Sequence, residues 1–229
     1  MLVMRNHRLL STYTPTCNKK NVKTTIQQSM KLNFSIAANA KGITLNQYID
    51  YQNAVDKIEQ VRVITGKSTE SIRLLQVHVI DEIIETFEAA IRLSSGEFER
   101  KVRVGVYELG FVPDLSSMTF GEYVDLDSVC GDIYKDGVIM GEAAHKMMCI
   151  LYRPIKAKFG KYYDIEPYAT NDKRKYEDAI GELTLDHVLN TLLFFSSLEI
   201  ELYNDSLVFL AKEITEIVKE MKEQQPQTA

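Results

Sequence analysis

Apolar side chains recur every third or fourth residue along much of this chain, and two stretches alternate instead. Lys31 to Ala37 places Leu32, Phe34 and Ile36 at alternate positions. Val102, Val104 and Val106 likewise alternate with Arg103, Gly105 and Tyr107. A period of 3.6 calls for helices with one buried stripe and a period of 2 for half-buried strands. The pattern therefore predicts an α+β fold that is predominantly α-helical: a helical bundle with a small two- or three-stranded β-sheet and an extended N-terminal arm. The two alternating segments are expected to pair.

Capping signals divide the helical stretches. Thr44 with Gln47 reads as a capping box opening a helix through Tyr48, Tyr51, Val55 and Ile58 that Gly66 ends. Ser68 or Thr69 starts the next, whose stripe Ile80, Ile83, Ile84, Phe87 and Ile91 faces a core and which stops near Ser94-Ser95-Gly96. Pro113-Asp114 through Ser117 is a turn, and Thr119 with Glu122 forms a second box. Ile43-Thr-Leu-Asn-Gln-Tyr-Ile-Asp50 and Met118-Thr-Phe-Gly-Glu-Tyr-Val-Asp125 share a pattern, which capping physics or an internal duplication can produce. A helix over 141–151 ends before Arg153-Pro154, since a residue preceding proline avoids the helical region. Residues 156–171 read as an irregular connection, and Arg153, Tyr162, Tyr163 and Tyr168 are assignable either to an interface or to a folded loop. Thr184 or Asp186 starts a helix through Val188, Leu192 and Phe195. The last helix carries Tyr203, Leu207, Leu210, Ile214, Ile217 and Met221 at alternating steps of four and three, a heptad seam suited to a partner helix.

Charge divides the chain differently. Residues 1–49 contain no Asp or Glu and carry seven basic residues, Arg5, Arg8, Lys19, Lys20, Lys23, Lys31 and Lys41. The other 180 residues hold 20 basic and 32 acidic side chains, a net charge of −12. A basic arm before an acidic body seeks something negative: nucleic acid, anionic lipid or the acidic face of a neighbouring subunit. A transit peptide or a dispensable leader before Met30 are the competing readings of the same composition. Domain boundaries follow: a basic arm over 1–30, one α-rich domain over 31–222 with a subdivision at 112/113, and a frayed tail over 223–229.

The search for chemistry is largely negative. Cys17, Cys130 and Cys149 are widely spaced, form no CxxC pair and read as reduced thiols. His7, His78, His145 and His187 are dispersed. Glu142-Ala-Ala-His145 is half of a di-iron motif without its second copy. Asp125, Asp127, Asp132 and Asp136 fail the calcium-loop frame, because Cys130 stands where that frame requires glycine. No phosphate-binding glycine loop or nucleophile elbow occurs. No cofactor, metal or enzymatic activity is expected, and no apolar run approaches the ~20 residues of a membrane helix. Twelve tyrosines, nine phenylalanines and eight methionines suit a core and adaptable interfaces alike. Leu192–Ile200 and the seam from Tyr203 are the foremost candidate patches.

Several short segments resemble a group of tailed-bacteriophage proteins encoded among virion and tail genes, including those of crAss-like podoviruses. They are Ile43-Thr-Leu-Asn-Gln-Tyr, Leu109-Gly-Phe-Val-Pro-Asp-Leu, Met118-Thr-Phe-Gly-Glu-Tyr-Val-Asp-Leu-Asp, Ile150-Leu-Tyr-Arg-Pro-Ile and the late Leu-Leu-Phe-Phe, within residues 43–210. The resemblance implies a structural virion subunit, in a ring of the head-to-tail connector or tail barrel, made in the host cytoplasm. Its implied partners are other copies of itself, neighbouring portal, connector or tail proteins, and DNA in transit. A tail-assembly chaperone absent from the mature particle is the alternative, and a nucleic-acid-binding regulator using the arm is the reading from another class. Candidate subunit contacts are Arg5, Arg8, Lys19, Lys20 and Lys23 of the arm and the seam from Tyr203 to Met221.

Overall fold

The computed structural model describes residues 35–115, 118–160, 162–168 and 175–197. The arm, the first part of the Lys31–Ala37 segment and the heptad seam lie outside the described residues. Of that expected strand, residues 35–37 have no regular structure. Ile36 is buried, and Asn39 caps a 3₁₀ turn, Ala40–Gly42, by accepting the Lys41 amide.

Helices occupy the first half. Thr44 caps α1, Leu45–Asn53, by accepting the Gln47 amide at 3.1 Å. The Gln47 side chain does not close the expected box; it donates instead to the Val63 carbonyl. The single helix predicted up to Gly66 is interrupted at 54–56, where Asp56 accepts the Glu59 amide and starts α2, Lys57–Thr65. Gly66 ends α2 in the left-handed region, φ 65°, as expected of a C-terminal glycine. Ser68 caps α3, Thr69–Arg73, and a second break precedes α4, Val77–Ile91. Val79, Ile83, Phe87 and Ala90 form the fully buried stripe of α4, with Ile80, Ile84 and Ile91 along its edges.

The sheet overturns the predicted bundle. Strands β1, Lys101–Val104, and β2, Tyr107–Phe111, pair as an antiparallel hairpin. Gly105 with φ 55° takes the first central position of its tight turn, where a side chain would be strained. Thr119 and Glu122 close a complete capping box on α5, Phe120–Cys130. β3, Tyr134–Lys135, and β4, Val138–Ile139, flank Asp136 and Gly137, whose φ values of 53° and 82° suit a two-residue hairpin turn. Next come α6, Gly141–Leu151, then β5, Tyr152–Phe159, and β6, Tyr162–Ile165. The short α7, Glu177–Gly181, and a helix over 185–197, here α8, follow.

The result is a mixed fold with a four-stranded antiparallel sheet in the order β1-β2-β5-β6. It is not a helical bundle, and among the described residues the Lys101 segment pairs with β2 rather than with a strand near Lys31. Residues 156–171, expected as an irregular connection because they are aromatic and polar, instead supply most of β5 and all of β6. A register shift between Ile155 and Ala157 breaks their alternation, so their strand character appears only once β2 lies alongside.

One core joins the layers. Leu109 and Phe111 of β2, Tyr152 of β5 and much of α6 are buried. Phe194 of α8 stacks on Phe98 at 3.9 Å between centroids and meets Phe111 edge-on. A bridge between Thr44 and Thr184 ties the start of α1 to that of α8: Leu45 donates to Leu183 and Leu185 to Ile43. Across the sheet, Gly110 lets the Tyr163 ring approach so closely that a β-carbon there would sit 2.4 Å from it. The Tyr163 hydroxyl then donates to the Phe111 carbonyl at 2.6 Å.

Candidate functional site

The polar groups drawn into the interior serve mainly to hold elements together. Asp186 is buried at the start of α8 and accepts both the amide and the hydroxyl of Ser95, at 2.6 and 2.7 Å. Asn190, one turn on, accepts from the Ser94 hydroxyl and the Gly96 amide. Together they clamp the loop leaving α4 onto α8, while Thr184 supplies the cap by accepting the His187 amide. His187 faces the Tyr152 ring, and its Nε2 is buried without a hydrogen-bond partner. Burial holds its pKa down to about 4 against the opposing charge of Asp186, so the ring is neutral. Burial likewise pushes the Tyr48 phenol up to about 12, and its hydroxyl donates to the Ile139 carbonyl.

A second cluster links α5 to β5. Glu122 is 3% and Arg153 6% exposed, and a carboxylate oxygen of Glu122 lies 2.7 Å from a terminal nitrogen of Arg153. That oxygen is out of line for a hydrogen bond, and the Arg153 Nε donates to nothing. The other Glu122 oxygen accepts the Thr119 amide at 2.6 Å, so one side chain completes the cap and neutralises the buried guanidinium. The Tyr168 ring lies beside Arg153, and its hydroxyl donates to Asp125. Arg153, Tyr163 and Tyr168 are thus tied into the fold, whereas Tyr162 is 68% exposed. His145 Nε2 lies 3.0 Å from the Glu177 carbonyl and Cys149 Sγ 3.8 Å from its Nδ1, so the half-motif with Glu142 is engaged in packing. Among the described residues, no group of three or more metal-ligating side chains converges.

What the fold leaves at its surface is of two kinds. The first is apolar: Phe120, Tyr123 and Val124 share the outer face of α5, Phe159 and Tyr162 flank the β5–β6 turn, and Val106 caps the β1–β2 turn at 89% exposure. The second is a groove of about 1250 Å³ between β1 and the helices α6 and α7. Four carboxylates line it, Glu142, Glu177, Asp178 and Glu182, against Arg103 and Lys146. Glu142 accepts from Asn53 and Glu182 from Asn46, which sets both heads at the groove wall.

Of the residues singled out by sequence, Arg5, Arg8, Lys19, Lys20 and Lys23, and Tyr203, Leu207, Leu210, Ile214, Ile217 and Met221, lie outside the described residues. Within the Leu192–Ile200 patch, Leu192 is buried, Leu193 is 52% exposed and Phe194 is packed on Phe98. The groove and the outer face of α5 were not anticipated. Phe120, Tyr123 and Val124 carry a signal that finds them, an i, i+3, i+4 triplet on a helix whose opposite face holds Glu122 and Leu126. No family model matches the chain, and no curated protein and no solved structure is similar to it.

Proposed function

We propose that this chain is a structural, non-enzymatic subunit of a tailed-phage particle, an oligomeric ring of the head-to-tail connector or tail barrel held by protein–protein contacts. One observation carries the reading: a basic, acid-free leader precedes a body whose acidic surplus includes a groove wall of four carboxylates. A ring needs such complementarity between different patches of identical copies, because head-to-tail contacts are heterologous. The exposed aromatic and aliphatic side chains of α5 and the hairpin tips supply further contact area. In this reading the arm of one copy lies on the body of the next, and DNA passes the assembled ring without stable contact. No described helix is long and apolar enough to cross a membrane.

Quantitative mass spectrometry of purified particles tests the proposal, with copy number scored against a portal or tail subunit. A fixed number of copies per particle, in a constant ratio to the portal or tail subunit, is the result expected of a ring. Absence from particles, with abundance in infected-cell lysate, would overturn it in favour of an assembly chaperone. Deleting residues 1–29 should block assembly; unchanged particle yield would remove the arm from the mechanism.

A further inference from the structure

The outer edge of β1 forms one lip of the carboxylate groove, and no described strand pairs with it. Its geometry follows from the register. Val104 and Tyr107 close the turn, Val102 faces Leu109, and the Phe111 amide donates to the Arg100 carbonyl at 2.8 Å. Residues 100, 102 and 104 therefore bond inward to β2, and the backbone N–H and C=O groups of Lys101 and Arg103 point outward, by the alternation of an antiparallel ladder. A free edge beside a lined groove is the arrangement into which an extended peptide adds as a further strand.

The charge around that edge selects the occupant. The groove wall facing it carries Glu142, Glu177, Asp178 and Glu182, which favours a strand that turns lysines toward that wall and disfavours an acidic one. The acid-free leader contains one run suited to both demands: Lys19-Lys20-Asn21-Val22-Lys23-Thr24-Thr25-Ile26 has three lysines, four β-branched residues and no glycine or proline. Lys19 and Lys23 fall on one face of such a strand.

We propose that residues 19–26 of one copy add as an edge strand to β1 of a neighbouring copy, with their lysines against Glu142, Glu177, Asp178 and Glu182. This rests on the ring reading and names its contact. Each copy offers one groove and one arm, so repeated head-to-tail contact between copies closes a ring when the rotation between them allows it.

The test uses two full-length populations, differently tagged, each with Cys17→Ser and Cys130→Ser. One carries Asn21→Cys and the other Val106→Cys at the groove lip; they are mixed and treated with a short bismaleimide. The expected product is an intermolecular adduct joining the two tags, several-fold above a control carrying Leu74→Cys, which is exposed and outside the groove. Charge reversal by Glu177→Lys with Asp178→Lys should return it to the control level. Arg103→Pro, which removes an outward N–H, should do the same by a different route. An adduct no greater than the control overturns the proposal, as does one insensitive to both variants. So does one formed only within a single chain carrying both cysteines. Absence of the protein from purified particles with the adduct retained would sink the ring reading alone, whereas particles containing it without any adduct would sink the strand contact alone.

Discussion

The two helix starts with nearly the same sequence bury opposite faces. At α1, Ile43, Leu45 and Tyr48 are buried, Gln47 is half-buried and Asp50 is exposed. At α5, the equivalent Phe120 and Tyr123 are 81% and 55% exposed, and the buried position is Glu122, the counterpart of Gln47. The caps nevertheless agree: Thr44 accepts the Gln47 amide and Thr119 the Glu122 amide. Capping is decided within one turn of helix, so the same letters end in the same hydrogen bond. Which face turns inward is decided by what lies alongside. For α1 that is α2 and α6, with the start of α8 bridged through Thr44 and Thr184. For α5 it is α6, with the Arg153 guanidinium of β5 beside Glu122. The shared pattern thus marks a common way to begin a helix and gives the two segments no common environment.

The sharpest way to break this contrast is to remove the groups that reverse it. Glu122→Ala leaves Arg153 buried without its counter-charge and should cost about 3–5 kcal/mol in urea unfolding. Gln47→Ala at the equivalent position should cost ~1 kcal/mol, since it removes a neutral hydrogen bond to Val63. Equal losses would show that Glu122 acts only as a cap. Next comes the apolar position: Leu45→Ala should lose about 2–5 kcal/mol through the cavity it opens. Its counterpart Phe120→Ala should stay within roughly 0.5 kcal/mol in the isolated protein, as exposed substitutions do. If Phe120→Ala instead prevents assembly while leaving stability intact, the outer face of α5 is a contact surface.

A pH titration sharpens the α1 side, where His187 lies in the first turn of the bridged helix. Its folded pKa of about 4 is below the ordinary value of 6.5, so the unfolded chain binds the proton more readily. Above pH 6.5 the ring is neutral in both states and nothing is lost; as pH falls from 6.5 toward 4, stability should drop, by ~2–3 kcal/mol in all. His187→Phe should remove that part of the slope, and an unchanged slope would place the sensitivity elsewhere. The smallest effect concerns what the two starts share. Thr44→Ala and Thr119→Ala should each cost ~1 kcal/mol. A large inequality would show that the cap itself depends on the surroundings.

Much of the helix grammar was legible. Thr44 and Thr119 cap the helices that their spacing announces, Thr184 is the cap of the Thr184/Asp186 pair, Ser68 of the Ser68/Thr69 pair caps only the short α3, and Gly66 ends α2 where expected. Two breaks at 54–56 and 74–76 were not, because Val55 and Leu74 continue an apolar rhythm although they are 91% and 64% exposed. The Asp136–Gly137 hairpin was written plainly, as a dipeptide that tolerates positive φ, but an acidic cluster invites comparison with a calcium loop and hides the turn. The β5–β6 hairpin was hidden in a stricter sense. Its tyrosines and lysines show no strand period until Tyr163 lies over Gly110, more than fifty residues away. The candidate groove was legible only as net charge, since its lining comes from α1, the β1–β2 hairpin, α6 and α7, which are distant in the chain.

By itself the sequence determined where helices begin, where tight turns are tolerated and how charge divides between leader and body, because each of these depends on contacts within about four residues or on composition alone. Only the tertiary structure decided that Glu122 rather than Tyr123 turns inward, that β2 and β5 are the inner strands, and that one edge of β1 lies beside four carboxylates. Burial and strand pairing are set by neighbours brought in from elsewhere in the chain, and no local pattern contains the identity of a neighbour.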